Sequence, residues 1–248
     1  MCGRYSITTP VEALRQFFRF TGPALNLQPR WNVAPTQDAP VVRLGKDGQR
    51  ELRMLRWGLV PFWAKDASGG ARMINARGET VAEKPAFREA FKARRCLVPA
   101  DGFYEWETLG ESPSKQPLLF RMADGKPFAF AGLWERWRPK EGGDAIETFV
   151  IINTAANEIM ARFHDRVPVV LAPEDYATWL DPEADARPLL KAPPSEWFTA
   201  TRVRTRVNSV RNDDPDCVAP VTQPEPLAPE KPKSKKQPAR DARQGSLF

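Results

Sequence analysis

The 248-residue sequence predicts an α+β fold. Residues 1–222 are expected to form one domain around a curved, largely antiparallel sheet flanked by short helices. Residues 223–248 are expected to form a disordered tail. Three observations carry this expectation. Short β-like runs dominate the chain, helical patterns are few and brief, and the two do not alternate as they would in the βαβ units of a doubly wound sheet. The composition then changes abruptly at Gln223.

The elements follow from local chemistry. Residues 10–18 (PVEALRQFF) suit a short helix, with Thr9 as N-cap and Pro10 at the first helical position, where its missing N–H costs nothing. Residues 40–44, 51–57, 116–121, 128–134 and 148–153 read as strands, several separated by turn formers such as Lys46-Asp47-Gly48 and Asp124-Gly125-Lys126. Residues 84–94 place Phe87, Ala90, Phe91 and Arg94 at helical spacing, giving one apolar face. Residues 155–163 and 174–180 are further helix candidates, the second opened by Pro173.

Composition excludes several classes. A chain of this length buries a core without disulfides or a structural metal. Three cysteines at positions 2, 96 and 217, with no CxxC pair, argue against a disulfide framework. One histidine and no clustered thiols leave no zinc set, so neither metal nor cofactor is expected. No apolar run approaches the roughly 20 residues that span a bilayer, and no secretory signal opens the chain. A cytoplasmic protein is therefore expected. Of the net charge of +6, the tail carries +3, from six Lys or Arg against three acids. The body is only mildly basic, which permits a polyanionic partner without demanding one. With five prolines among 26 residues and no aromatic or β-branched side chain before Phe248, the tail lacks the surface to fold alone.

Cys2 carries the most chemical information. Removal of the initiator Met leaves a 1,2-aminothiol whose amine and thiol ordinarily titrate at about 8 and 8.5. Such a terminus serves two chemistries. Its thiolate can attack an amide carbonyl with the amine as base. Alternatively, its amine captures an aldehyde as an imine and the thiol closes a five-membered thiazolidine, an intramolecular step of high effective molarity.

Around Cys2 the sequence carries six blocks in order: Met1-Cys2-Gly3-Arg4-Tyr5, residues 30–37 (RWNVAPTQ), 57–65 (WGLVPFWAK), 74–80 (INARGET), 95–106 (RCLVPADGFYEW) and 164–168 (HDRVP). This series resembles the SRAP family of SOS response-associated peptidases, or abasic-site processing proteins, from Cys2 to about Val221. The resemblance implies a barrel-like curved sheet. It also implies a DNA-damage protein that senses abasic sites in single-stranded DNA and cross-links to them through the position-2 cysteine after Met1 is lost. The resulting thiazolidine shields the lesion. An associated lyase-type strand cleavage, and an autoproteolytic activity limited to loss of Met1, are implied as well. The partner would be abasic single-stranded DNA, the location nucleoid-associated, and the protein a monomer.

Carried over residue by residue, the resemblance gives a catalytic set of Cys2, Asn75, Glu105 and His164. Glu105 lies between Tyr104 and Trp106 and would gain a raised pKa on burial, which suits proton shuttling. His164, the only imidazole in the chain, would move protons as the sugar opens to its aldehyde. Asn75 would orient the terminal amine or a sugar oxygen. DNA contact would fall to Arg4 and Arg77 through guanidinium forks, to Trp63 and Trp106 by stacking, and to a loop shaped by Asn32 and Pro35. The other six tryptophans are expected in the interior. Cys96 reads as a buried strand cysteine, and Cys217 has no assigned role.

The chain ends Gln244-Gly245-Ser246-Leu247-Phe248, which resembles the short bacterial sliding-clamp-binding peptide in its Gln244, Leu247 and Phe248. Two other functional classes remain open on sequence: an N-terminal-nucleophile amidohydrolase, since class II glutamine amidotransferases also begin Met-Cys-Gly, and a non-covalent single-strand binding module.

Overall fold

Residues 2–23, 25–109 and 115–223 are described by a computed structural model. In chain order the first half runs β1 (Tyr5–Ile7), α1 (Val11–Phe18), β2 (Arg30–Val33), β3 (Asp38–Leu44), β4 (Arg50–Trp57), β5 (Asn75–Arg77), α2 (Arg88–Ala93) and β6 (Arg95–Ala100). The second half runs β7 (Gly102–Thr108), β8 (Lys115–Met122), β9 (Phe128–Trp137), β10 (Ile146–Ala155), α3 (Glu158–Ala161), β11 (Arg166–Pro168), β12 (Val170–Leu171), α4 (Tyr176–Leu180) and β13 (Phe198–Arg202).

Five strands close a barrel. β3 pairs antiparallel with β4, β4 parallel with β10, β10 antiparallel with β9, and β9 antiparallel with β6. The ring closes where β6 meets β3 at Leu97 and Val42. Closure removes the unpaired edges that an open sheet would present. A second, open sheet follows the order β13-β8-β7-β1-β2. One hydrophobic core joins the two, drawing on Tyr5, Phe103 and Phe120 from the open sheet and on Val42, Trp57, Leu97, Phe130 and Phe149 from the barrel. The α+β class, the curved and largely antiparallel sheet and its short helices are thus as the sequence predicts.

Packing explains why these sequences form these strands. All six residues of β6 are buried, so it reads as an apolar run without alternation. β9 tolerates Gly132 because β6 lies close: a Cβ there would stand 2.8 Å from Val98 Cγ2 and 2.9 Å from Cys96 Sγ. The β3–β4 hairpin turns where expected, with Gly48 at φ +75°.

Three expectations need correction. Pro10 is itself the N-cap of α1, in extended geometry, and Thr9 does not cap the helix. Instead Asp101 accepts from the N–H and hydroxyl groups of both Thr8 and Thr9, at 2.5–2.9 Å, a stronger offer than a local cap because the carboxylate is charged. The helix expected over residues 155–163 shrinks to Glu158–Ala161, since β10 extends to Ala155 by pairing with Arg166 of β11. Residues 84–87 form turns, and α2 starts only at Arg88.

Candidate active site

The site lies at the seam between the open sheet and the barrel. β1 runs antiparallel to β7, with Tyr5 opposite Phe103 and Ser6 opposite Gly102. Tyr104 N–H donates to Arg4 O at 3.0 Å, so the residues before Tyr5 continue along β7 toward Glu105. On the barrel side, the C-terminal half of β10 lies between β5 and β11. Asn75 of β5 stands opposite Ile151, and Arg166 of β11 stands opposite Ala155. His164 precedes β11 and is held by its N–H to Met160 O at 2.9 Å.

A hydrogen bond crosses this seam. Asn75 Nδ2 donates to the carbonyl of Cys2 at 2.7 Å, fixing position 2 against the barrel. Asn75 Oδ1 is buried and has no hydrogen-bond partner among the described residues, which leaves an acceptor open to an amine or a sugar hydroxyl. The Cys2 thiol is fully buried and lies 3.8 Å from Arg4 O. Burial, reinforced by the charge of Glu105, pushes it up to about 12. Glu105 is 5% exposed, and burial pushes its carboxyl up to about 7, against the pull of the positive amino terminus. A carboxyl with that value exchanges protons in both directions near neutrality.

His164 is depressed below its ordinary value, first by burial and then by the charge of the amino terminus. Its Nδ1 stands 2.9 Å from Arg166 N–H, which it would meet as an acceptor, and 2.7 Å from Asp165 Oδ1, which it would meet as a donor. Lys115 of β8 acts on both Glu105 and His164, and Asp165 raises both.

The residues expected to touch DNA divide. Arg77 is exposed and shares a strand face with Asn75 two residues earlier. Trp63 is 53% exposed beside Phe62, the most accessible of the eight tryptophans. Trp57, Trp137 and Trp179 are buried, as expected of interior residues, while Trp31, Trp134 and Trp197 are half-buried against the core. Trp106 is half-buried, donates from Nε1 to Asn208 at 2.8 Å and lies beneath the Arg4 guanidinium at 5.7 Å. Arg4 spends Nη1 inside the protein, on Asn32 Oδ1 at 2.7 Å and Val207 O at 2.8 Å.

Asn32 is an interior residue and has no surface to offer DNA. Its Nδ2 is shared among the carbonyls of Val207, Ser209 and Asn212, so that it moors the loop over residues 205–212 beside Trp106. Pro35 opens a tight turn in which Thr36 takes φ 71°, a left-handed conformation unusual for a β-branched residue. Cys96 is buried in β6, and Cys217 is buried in a small cluster with Tyr104 and Val207. Gln244, Leu247 and Phe248 lie outside the described residues. Among the described residues no group of His, Cys, Asp and Glu is arranged to hold a metal, and no helix is long and apolar enough to cross a membrane.

Sequence reasoning missed Glu79, Lys115, Asn153 and Arg166. Glu79 and Arg166 stand inside blocks already singled out, INARGET and HDRVP, and a charged residue next to a candidate catalytic residue was the available signal.

Residues 1–210 match the family described as SOS response associated peptidase (SRAP). The chain belongs to the SRAP family. It is 38% identical over 225 residues to a Bacillus subtilis protein named abasic site processing protein YoqW, covering 88% of this chain and 99% of that one. It is 30% identical to abasic site processing protein HMCES of Gallus gallus, over 89% of this chain and 78% of that one. A crystal structure of a Bacteroides thetaiotaomicron protein superposes with a TM-score of 0.80 at 27% identity, covering 89% of this chain and all of the other. The seam holding Cys2, Asn75, Glu105 and His164 therefore belongs to an SRAP domain that extends across both sheets.

Proposed function

We propose that this SRAP protein acts in the response to DNA damage by recognising abasic sites in single-stranded DNA and bonding covalently to them through Cys2 once Met1 is removed. The observation that carries this reading is the fastening of position 2 to Asn75 beside a buried carboxyl that titrates at about 7.

Each step has a group suited to it. The closed abasic sugar opens as its C1′–O4′ bond breaks: O4′ takes a proton from His164 Nε2, the C1′ hydroxyl gives up its own proton, which returns through water to Nε2, and C1′ becomes an aldehyde while the ring stays neutral. The Cys2 amine adds to that carbonyl to give a carbinolamine. Glu105, as the carboxylic acid, protonates the hydroxyl, which leaves as water, and an iminium remains. Glu105, now a carboxylate, takes the thiol proton, and the sulfur closes on the iminium carbon. One water is released and Glu105 is unchanged. A buried thiol held near 12 ionises too little at neutral pH to react unaided, which is why an adjacent base is required. Intramolecular closure then supplies the rate. The peptidase in the family's name would extend, for this chain, to the loss of Met1. Lyase-type cleavage would proceed from the same iminium before ring closure. Arg77 and Trp63 would hold a phosphate and a base beside the lesion.

The test is incubation of the full chain with abasic single-stranded DNA, followed by a denaturing gel. Wild type and Cys96→Ala should give a heat-stable shifted band, Cys2→Ala none, and intact mass should show Met1 missing. Glutamine hydrolysis without a band would favour an amidohydrolase. Equally tight DNA binding by wild type and Cys2→Ala, with no band, would favour a non-covalent binding module.

A further inference from the structure

Behind His164 lies a polar network that the chemistry above does not use. Arg166 forms two parallel ion-pair bonds to Glu79, Nη1 to Oε1 at 2.9 Å and Nη2 to Oε2 at 2.6 Å. The same guanidinium donates to Asn153, whose side-chain oxygen accepts from Nε at 3.3 Å and from Nη2 at 3.1 Å, and whose carbonyl accepts from Nη2 at 3.1 Å. Asn153 is fully buried on β10, and its carbonyl also takes Gly78 N–H at 2.8 Å. One planar fork thus ties the segment after β5 to the start of β11.

The backbone N–H of this same Arg166 donates to His164 Nδ1. A competitor stands on the other side: Asp165 Oδ1 is 2.7 Å from Nδ1. One nitrogen cannot serve both. Facing Arg166 N–H it must offer a lone pair, which leaves the ring neutral with its proton on Nε2. Facing Asp165 it must carry a proton, which favours the imidazolium or the opposite tautomer.

We propose that Glu79 is a positioning residue for His164: by clamping Arg166 it holds the backbone N–H on Nδ1 and keeps the ring neutral with its proton on Nε2.

The balance favours the clamp. Asp165 is 84% exposed, so water screens its pull on the ring. The Arg166 side chain is only 17% exposed and engages both carboxylate oxygens, the stronger geometry. The charges acting on the ring come from Asp165 and Arg166 beside it, from Lys115 on β8 and from the amino terminus. The carboxyl of Glu105 on β7 shares Asp165 and Lys115 as neighbours. Glu79 is not among the charges acting on His164, so a change at Glu79 reaches the ring through Arg166. The inference deepens the role given to His164 above and rests on that reading only for its kinetic arm.

The chain has one histidine, so 15N-histidine labelling of the full-length protein gives one pair of ring-nitrogen signals. Wild type should show a pyridine-type Nδ1 and a pyrrole-type Nε2 at pH 7. In Glu79→Gln, Nδ1 should move toward the pyrrole or imidazolium position and the titration midpoint should rise. Arg166→Lys, which loses the fork but keeps the backbone, should do the same. Asp165→Asn in the Glu79→Gln background should restore the wild-type pattern, because the competitor is gone. Cross-linking by Glu79→Gln should slow by about tenfold at pH 7, the lower end of the loss seen when a group orienting a metal-ligating histidine is removed. Wild-type ring signals and midpoint in folded Glu79→Gln and Arg166→Lys would overturn the proposal, as would a slower reaction with no spectral change. The spectra need no DNA. A wild-type protein with the expected signals but no cross-link would refute the proposed function and leave the clamp standing.

Discussion

Glu105 is predicted to destabilise the native protein under the conditions in which it works, and Glu105→Gln isolates that cost. Burial lifts its carboxyl from an ordinary 4.5 to about 7. A folded-state value above the unfolded one means that the native state binds the extra proton between those two pH values. The neutral form therefore supports the fold fully below about pH 4.5, and the contribution is lost as pH rises through 7. At about 1.4 kcal/mol per pH unit, that span corresponds to about 3 kcal/mol by pH 8. Glutamine has nearly the same shape and never ionises. Urea unfolding of both proteins at pH 4.5, 6, 7 and 8.5 should thus show the variant gaining on wild type by about 3 kcal/mol from the lowest to the highest pH. With a typical m-value of about 2–3 kcal/mol/M this is a midpoint shift of about 1 M. Groups common to both proteins cancel in the difference. The same variant should lose about 10²–10⁴-fold in cross-linking rate, the usual contribution of a positioned acid–base group. A stability difference that stays flat with pH would show that the carboxyl is not held neutral, and the assignment of Glu105 as proton shuttle would fall with it.

Three further outcomes test the surroundings of the site. Trp63→Ala should leave the melting temperature nearly unchanged, because the ring is half exposed, yet weaken single-stranded DNA binding by about 1–3 kcal/mol in a fluorescence anisotropy titration. Asn32→Ala removes the Oδ1 that accepts from Arg4 Nη1 and the Nδ2 shared by the carbonyls of Val207, Ser209 and Asn212, so chemical denaturation should show a loss of about 2–4 kcal/mol; a near-neutral result would mean that the loop does not need this mooring. Gly58→Ala meets two obstacles, a φ of +129° and a Cβ placed 2.6 Å from Gly70 O, and should cost at least about 2 kcal/mol in the same assay.

The longer elements were legible because their signals are local. β3, β4, β8, β9 and β10 carry apolar runs bounded by turn formers, and each lies within a few residues of its expected limits. The proposed catalytic residues stood out for another reason, the ordered blocks that place Cys2, Asn75, Glu105 and His164 within one family. What stayed hidden is what fastens them. β1, β5 and β11 have three residues each, too few for any period to show, and they are strands because longer neighbours accept their hydrogen bonds. Asp101 takes the groups of Thr9 from 92 residues away, and Glu79 grips Arg166 across 87. Asn32 looked like a loop residue meant for DNA, but its amide is spent inside the protein on carbonyls 175–180 residues further along, a distance at which no local signal survives. The pattern has one cause. The site lies where barrel and open sheet meet, and there local propensity is weak, so position is set by pairing and by buried polar bonds between distant segments. A substitution that leaves every catalytic side chain in place but breaks one of those bonds should therefore damage the chemistry more than the fold, and Glu79→Gln puts that contrast to the test.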